Sequence, residues 1–364
     1  MSEIVGLLET DYTQFTTALM KVRSKPAQST KVEWLEDRLF PRKSALAASA
    51  TSAATSIDVT TGEGTYFNVG DLVRNALTGE AYEVTGVTSD AVGVTRSIGT
   101  VAAASSASGA ELVIIGNASL QGASTPTAKV TERSAVYNYT QIFRLSYSFT
   151  RSLTQSNLYT GGEPNYERKK KGVEHKRQIE SGLFFGARDL DTGGSEPQGF
   201  MGGLVEFLTT NLHDPSGQMT STELDTYLQT DLQYGSGQNK VLFASPTVAR
   251  VISTFARDNW TRATPQNTLW GVKVDGLVSG AFGYEVPVFV KREWGEFSSS
   301  SNQYGSWAFV VDMDKVRIRP LQNTVLLRNR QDNGQDRVTE EYLTETSFEI
   351  HNEQAHAIIK GVTA

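Results

Sequence analysis

The whole imidazole supply of this 364-residue chain is four histidines: His175, His213, His351 and His356. Two of them frame HNEQAH (351–356), which is close to the H-E-x-x-H pair of zinc peptidases, but the glutamate stands one place late and the histidines are five apart. Positions i and i+4 of a helix share a face and can grip one ion. The segment reads as strand, where i and i+5 point to opposite faces, so no shared metal is expected. DLDTG (189–193) begins like a calcium loop, yet Phe200 stands where a bidentate glutamate belongs. GGSEPQGFMGG (193–203) has the glycines of a phosphate cradle without its Lys-Ser/Thr, and reads as a flexible connection. Asp312 and Asp314 could hold a cation, but at a strand exit this spacing makes a turn. Cysteine is absent, which removes thiolate nucleophiles, disulfides and Cys-based zinc. No nucleophile–base pair stands out. The expectation is a non-enzyme with no catalytic, cofactor or metal site.

The densest chemistry is cationic. Arg168, Lys169, Lys170 and Lys171 are consecutive within NYERKKKGVEHKRQIES (165–181), in a chain of 34 Lys plus Arg against 40 Asp plus Glu, net −6. Successive helical residues lie about 100° apart, so four cations spread around a helix rather than forming a stripe. Over 165–188 seven Lys/Arg face three Glu. Glu167–Lys171 and Lys176–Glu180 at i, i+4 and Glu174–Arg177 at i, i+3 offer local compensation. Only Tyr166, Val173, Ile179 and Leu183 give this helix an apolar stripe. A helix this polar crosses a surface and meets charged partners on several sides. The acidic total argues against coating DNA through bulk charge.

The elements that must position these residues follow from periodicity. Residues 1–31 read as a polar arm, and VEWLEDRLFP (32–41) as a short amphipathic unit. SALAASATSAATS (44–56) reads as linker or exposed strand. From 57 to 116, short alternating runs about ten residues apart indicate a small β-barrel or sandwich. In AVYNYTQIFRLSYSFT (135–150) the odd positions carry Tyr137, Tyr139, Phe143, Leu145, Tyr147 and Phe149, and even positions from Arg144 are polar. That predicts one long strand whose aromatic face needs cover, from the chain or a neighbour. A helix follows, from Pro164 and Asn165 to about Gly186. Thr220-Ser221-Thr222-Glu223 is a capping box ahead of Leu224, Leu228 and Leu232, and KVLFA (240–244) a buried strand. Ser245-Pro246 opens a helix with Val248, Val251, Ile252 and Phe255 on one face. Further strands are expected at 284–291, 307–312, 315–319, 337–350 and 356–361. No run approaches the about 18 apolar residues of a membrane span, and the start lacks a signal-peptide pattern, so a soluble, multi-lobed cytoplasmic protein is expected.

This order of pieces resembles the major capsid proteins of tailed bacteriophages, with the Hong-Kong-ninety-seven-type fold, and within it the SU-ten-like branch. The resemblance runs from about Val32 onward, through VEWLEDRL, YNYTQIFRLSYSFTRS, YERKKKGVEHKRQIESGLFFGAR, PQGFMGGL, SPTVARVISTFARDN, FVVDMDKVRIRPL and EYLTETSFEIHNEQAHAIIKG. It implies an α+β fold with an N-terminal arm (1–31), an extended loop region (32–56 and 117–155) and an inserted β-module (57–116). A peripheral domain (156–203 and 306–364) would carry the spine helix 165–188, and an axial domain would span 204–305. It also implies self-assembly as hexamers and pentamers into an icosahedral virion shell, built in the host cytoplasm around double-stranded DNA held non-specifically. Portal, scaffolding and decoration proteins would be further partners, and no membrane is involved.

On that reading Tyr137, Phe143, Arg144, Tyr147, Arg168, Lys169, Lys170, Lys171, Lys176 and Arg177 are expected at subunit contacts. Gly172 would be either a site of close backbone packing or a hinge for a helix that bends in a precursor shell and straightens on expansion. Competing readings are a nanocompartment shell of the same fold, a carbohydrate- or surface-binding β-protein, and a hydrolase using Asp312, Asp314 or His351.

Overall fold

The computed structural model describes residues 13–119, 121–122, 128–155, 163–235, 239–259, 268–269, 272–273, 275–278, 285–295 and 304–363. The chain divides into two compact units, Asp37–Ser134 and the remainder on either side of it.

The larger unit opens with helix α1 (Gln14–Val22) and strand β1 (Lys31–Glu36). Phe15, Ala18 and Leu19 of α1 are fully or almost fully buried. Of the expected arm 1–31, residues 14–22 therefore dock on their own chain, while 1–12 lie outside the described residues. The alternation of KVEWLE buries Val32 and Trp34 and exposes their neighbours, which makes β1 a strand.

The inserted unit holds β2 (Lys43–Ala45), β3 (Ser56–Asp58), β4 (Asp71–Asn75), β5 (Ala81–Thr88), β6 (Ala91–Thr95) and β7 (Glu111–Asn117). They form one antiparallel sheet in the order β2-β7-β4-β5-β6-β3. Its outer strands meet through a Leu46–Val59 bridge, with Ala47 N bonded to Asp58 O and Thr60 N to Ala45 O, both at 2.9 Å. The sheet thus closes into a six-stranded barrel, which leaves no free edge. Leu46 and Ala50 are buried in its core with Val73, Tyr82 and Leu112. SALAASATSAATS is therefore part of the barrel rather than a linker, because small residues fit where its strands and turns close. The module is wider than 57–116.

The larger unit resumes with β8 (Ser134–Tyr139), paired with β1, then β9 (Gln141–Thr150), α2 (Arg151–Gln155) and α3 (Glu163–Phe185). The expected single strand over 135–150 is two. In β9 the odd residues Phe143, Tyr147 and Phe149 are buried, but in β8 it is the even Asn138 that faces inward. The phase flips because the Asn138 side chain donates to Gly202 O and Phe348 O at 2.9 and 2.7 Å and accepts from Gly202 N at 2.8 Å. Next come β10 (Asp189–Asp191), β11 (Gln198–Phe200), α4 (Leu204–Phe207) and β12 (Leu212–His213). GGSEPQGFMGG is less free than its composition suggests. β11 pairs with β10, and Gly203 N bonds Gly186 O at 2.8 Å. A Cβ on Gly203 would lie 2.6 Å from Gly182 O, so glycine is required where the segment crosses the end of α3.

The remaining elements are α5 (Ser221–Leu232), β13 (Lys240–Ala244), α6 (Pro246–Asn259), β14 (Thr268–Leu269), β15 (Val272–Lys273), β16 (Asp275–Val278), β17 (Glu285–Val290), β18 (Ala308–Asp312), β19 (Val316–Leu327), β20 (Arg337–Ile350) and β21 (Ala357–Ile359). Both expected helix starts are built as read. The Thr220–Glu223 capping box is complete, and Ser245 Oγ accepts from Val248 N at 3.3 Å.

The order β12-β21-β18-β13-β17-β16 makes a mixed six-stranded sheet. Strand alternation sends Leu242, Ala244 and Val310 to a core shared with α5 and α6. Val241, Phe243, Phe309 and Val311 face the opposite core, shared with α1 and α3. A second sheet, β19-β20-β9, adds Phe143, Ile318 and Phe348 to that same core. β18 thus pairs directly with β13 and β21 lies just beyond it, so the expected boundary at 305/306 falls inside one sheet. HNEQAH is not strand throughout: Glu353–Ala355 is a 3-10 turn between β20 and β21.

Candidate assembly surface

Helix α3 spreads Arg168 to Lys171 around its first half and closes the main core with an inward stripe of its second half. His175, Ile179, Leu183 and Phe184 are at most 1% exposed. His175 Nε2 lies 2.7 Å from Thr344 Oγ1 and its ring stacks on Tyr342, while burial pushes its pKa below the usual imidazole range. It is a core residue. Phe184 meets Phe15 and Trp294, each with ring centroids 4.9 Å apart. Glu180 also turns inward, accepting from Phe15 N at 3.1 Å and Thr16 N at 2.7 Å and pairing with Lys291. These two amides belong to the unsatisfied first turn of α1, so a carboxylate from α3 caps another helix.

This arrangement redistributes the ion pairs expected along α3. Glu180 is unavailable to Lys176. Lys171 pairs with Glu174 at 2.6 Å rather than with Glu167, which instead sits 4.0 Å from Lys170. Arg177 reaches Glu293 at 3.5 Å rather than Glu174. Arg168 clamps Glu340 with two bonds, at 2.6 and 2.7 Å, and the Tyr147 hydroxyl donates to the same carboxylate at 2.7 Å. Hydrogen bonding from Arg168 holds Glu340 below the ordinary carboxylate range, and burial pushes the Tyr147 hydroxyl well up. On β9, Arg144 pairs with Glu341, whose carboxyl is held down mainly by that hydrogen bond, and Arg330 lies 3.7 Å away. Lys169 and Lys176 are the helix cations left exposed.

Two expected contact residues belong to the interior. Phe143 is 7% and Tyr147 9% exposed. Phe143 nests on Gly182, where an added Cβ would lie 3.1 Å from its Cζ, and Tyr147 packs beside Tyr342. The aromatic face of β9 is covered by α3 and β20 of the same chain, which supply the burial that the period-two pattern demands. Tyr137 is half-buried between Lys31 and Arg188, 4.4 and 4.5 Å from its ring centre. Gly172 faces the Tyr342 ring, and an added Cβ would meet it at 3.5 to 4.0 Å, an ordinary contact. No neighbouring backbone crowds it. The Tyr342 hydroxyl donates to Arg168 O at 3.0 Å, one turn before Gly172.

Beside α3, an open groove of about 790 Å³ is lined by Ile142, Arg144, Arg177, Gln178, Ser181 and Phe200 among others. The partners Glu340 and Glu341 were invisible to spacing along the helix, since both lie on β20, and spacing gave Glu180 to Lys176 where it instead caps α1. The remaining motif residues make structure. Asp191 Oδ1 accepts from Gly193 N and Asp312 Oδ1 from Asp314 N, both turns. His351 leans on Glu349, while buried His356 accepts from Asp312 N through Nδ1. The histidines of HNEQAH thus go to different partners.

Comparison with known proteins gives a consistent set. The chain is 24% identical over 247 residues to the major capsid protein of Pseudomonas phage PaMx41, covering 65% of this chain and 59% of that one. It therefore spans about three-fifths of the length of this relative. Among solved structures, the capsid of the native GTA particle matches 100% of this chain and 94% of its own at 10% identity and a TM-score of 0.48. The capsid of Myoviridae phage XM1 matches 100% and 96% at 8% identity and 0.47. An encapsulin complex from Synechococcus elongatus PCC 7942 matches 64% and 78% at 11% and 0.47. The family model described as SU10 major capsid protein matches residues 1–363, and the chain belongs to that family.

Proposed function

We propose that this chain is the repeating subunit of an icosahedral virion shell, assembled as hexamers and pentamers around double-stranded DNA that it holds without sequence specificity. The observation that carries this reading is the family match over residues 1–363. The geometry supports it. Most cations of α3 are already matched within the chain, so the helix is a strut rather than a phosphate-binding surface. Lys169, Lys176, the outer side of Arg144 and the half-buried Tyr137 remain as candidate subunit contacts. Standard protein interfaces bury roughly 1,200–2,000 Å², and a shell subunit makes several. Gly172 has room for α3 to flex against Tyr342 as a precursor shell expands. Assembly in the host cytoplasm and attachment of portal, scaffolding and decoration proteins complete the proposal. No helix among the described residues is long and apolar enough to cross a membrane.

Negative-stain microscopy of the expressed chain tests the reading. Shells, tubes or capsomers are the expected outcome, with nuclease-protected DNA in filled particles. A stable monomer at every concentration and ionic strength would overturn it.

A further inference from the structure

We infer that the free edge of β19, residues 321–327, is extended in the shell by a strand from a second copy of this chain. The inference rests on the shell-subunit reading and names a surface through which copies join.

β19 has twelve residues and pairs along one side with β20. Its other side is covered only in part. Ile318 N bonds Arg23 O at 3.1 Å, Lys25 N bonds Ile318 O at 3.1 Å, and Ala27 N bonds Pro320 O at 2.9 Å. Residues 23–27 therefore run along this edge as a short parallel strand, in the sense of the Ser24–Ile318 bridge. The chain then leaves, and Thr30 O accepts from Thr140 N in β1–β8 territory. Beyond Pro320 no main-chain group among the described residues bonds this edge. The open stretch LQNTVLL would span about 23 Å at the rise of an extended chain.

No charge protects that stretch. Edge strands that stay single carry charges or Pro, are very short, or are twisted away by bulges. Between Pro320 and Arg328 no residue is charged. Leu321 is 37% exposed, and Gln322, Asn323 and Thr324 are exposed as well. Irregularities in pairing lie near Pro320 and between Gln322 and Val325, whereas Val325, Leu326 and Leu327 oppose Leu343, Tyr342 and Glu341 in regular register. The bulges are thus confined to the proximal part, and Val325–Leu327 form a regularly paired, uncharged edge whose outer amides and carbonyls bond no main-chain group among the described residues, the condition under which an added strand gains affinity through main-chain bonds.

The occupant is a second copy for two reasons. The chain already adds its own residues 23–27 to this edge, so the sheet accepts this sequence as a strand. The far end is locally positive as well. Arg328 and Arg330 stand 62% and 51% exposed, while the nearby carboxylates Glu340 and Glu341 are engaged by Arg168 and Arg144. Four arginines there share two carboxylates, and an acidic strand segment of a second copy complements that excess.

Amide hydrogen exchange on unassembled subunits and on shells made of this chain alone tests the proposal. Amides within 321–327 should exchange at least tenfold more slowly in the shell, and Leu326→Lys should cut particle yield at least tenfold while leaving the thermal midpoint of the subunit in place. Shells in which these amides stay as fast as in the subunit would overturn the edge proposal and leave the shell reading standing. Protection that appears only when another protein is added would overturn the second copy as occupant. Failure to form any particle would overturn the shell reading, and this proposal with it.

Discussion

The barrel and the three-stranded sheet meet the same problem, an acidic residue buried beside strands, and solve it differently. In the barrel, Glu80 is fully buried and Arg96 is 8% exposed. Glu80 takes Arg96 Nε and Nη2 at 2.9 and 2.6 Å, Ser97 N at 3.2 Å and Ala104 N at 3.0 Å. Arg96 also donates to Ala104 O at 2.6 Å and lies over Tyr82. Every bond returns to the same small unit. In the sheet, Glu340 and Glu341 are equally buried, but their arginines stay at the surface, Arg168 at 27% and Arg144 at 58% exposure. A closed barrel can satisfy its charge internally, whereas an open sheet leaves one side of each pair, and one strand edge, for something else.

Breaking the barrel pair should have the largest effect. Glu80→Ala leaves a buried guanidinium without its partner and should destabilise the module by about 3–5 kcal/mol. The tryptophans all lie outside Asp37–Ser134. Amides of β4 and β5 should therefore lose protection while the tryptophan fluorescence midpoint barely moves. A loss of tryptophan signal in parallel would mean that the barrel is not energetically self-contained.

On the sheet side, Phe143→Ala should cost the unassembled subunit about 3–5 kcal/mol, the range for truncating a buried aromatic. Urea denaturation measures it. Unchanged subunit stability with failed assembly would return this face to the role of an interface, the reading that its burial has displaced.

Acid sharpens the comparison through His356, which is fully buried, takes the Asp312 amide proton bond on Nδ1 and has no partner for Nε2 among the described residues. Burial first of all, and the Lys240 ammonium, depress its pKa from 6.5 to about 4, against the opposing pull of Asp312. The neutral ring is the one the fold favours. Its contribution is therefore complete above pH 6.5 and erodes as pH falls toward 4, by about 3 kcal/mol in all. Glu340 and Glu341, whose pKa values are depressed, contribute above about pH 4.5 and lose that contribution only below it. Denaturation midpoints should decline in two stages, and His356→Asn should flatten the first without touching the second.

The smallest effect is Gly172→Ala, which should stabilise α3 by about 0.5–1 kcal/mol because the added methyl finds ordinary contact with Tyr342. A lower thermal midpoint would show that the site is tighter than its geometry. If the helix hinges here, the same variant should also reduce precursor-shell yield.

Much of the fold was legible wherever one local rule decided the outcome. The capping box at Thr220, the Ser245-Pro246 start and the alternation within β9 each depend on neighbours a few positions away. Elsewhere distant partners decided. The phase flip between β8 and β9 needs Asn138 to find Gly202 and Phe348, and no periodicity in 135–150 announces that. KVLFA is buried as read, but how its Lys240 is accommodated was not legible. Its ammonium donates to Asp231 O and Ala355 O, and burial lowers its pKa to about 8. The cations of α3 were correctly placed on a polar helix, but the partner of Arg168 lies on β20, some 170 positions later, and that of Arg177 is Glu293. Side-chain type located the charges without saying which of them the chain itself would neutralise.

The cap that Glu180 places on α1 also bears on timing. Phe15 packs on Phe243 and Phe348, with centroids 5.0 and 6.0 Å away, and Ser24 bridges Ile318. The first described helix therefore finds its seat only after β20, near the far end of the chain, has been synthesised. Contacts this distant in sequence are slow to form, because the closure of a very long loop precedes any reward. A nascent copy synthesised only as far as β19 lacks both the completed core and the β19–β20 hairpin. Until β20 follows, α1 has no seat, so the first described helix stays undocked through most of the synthesis of each copy.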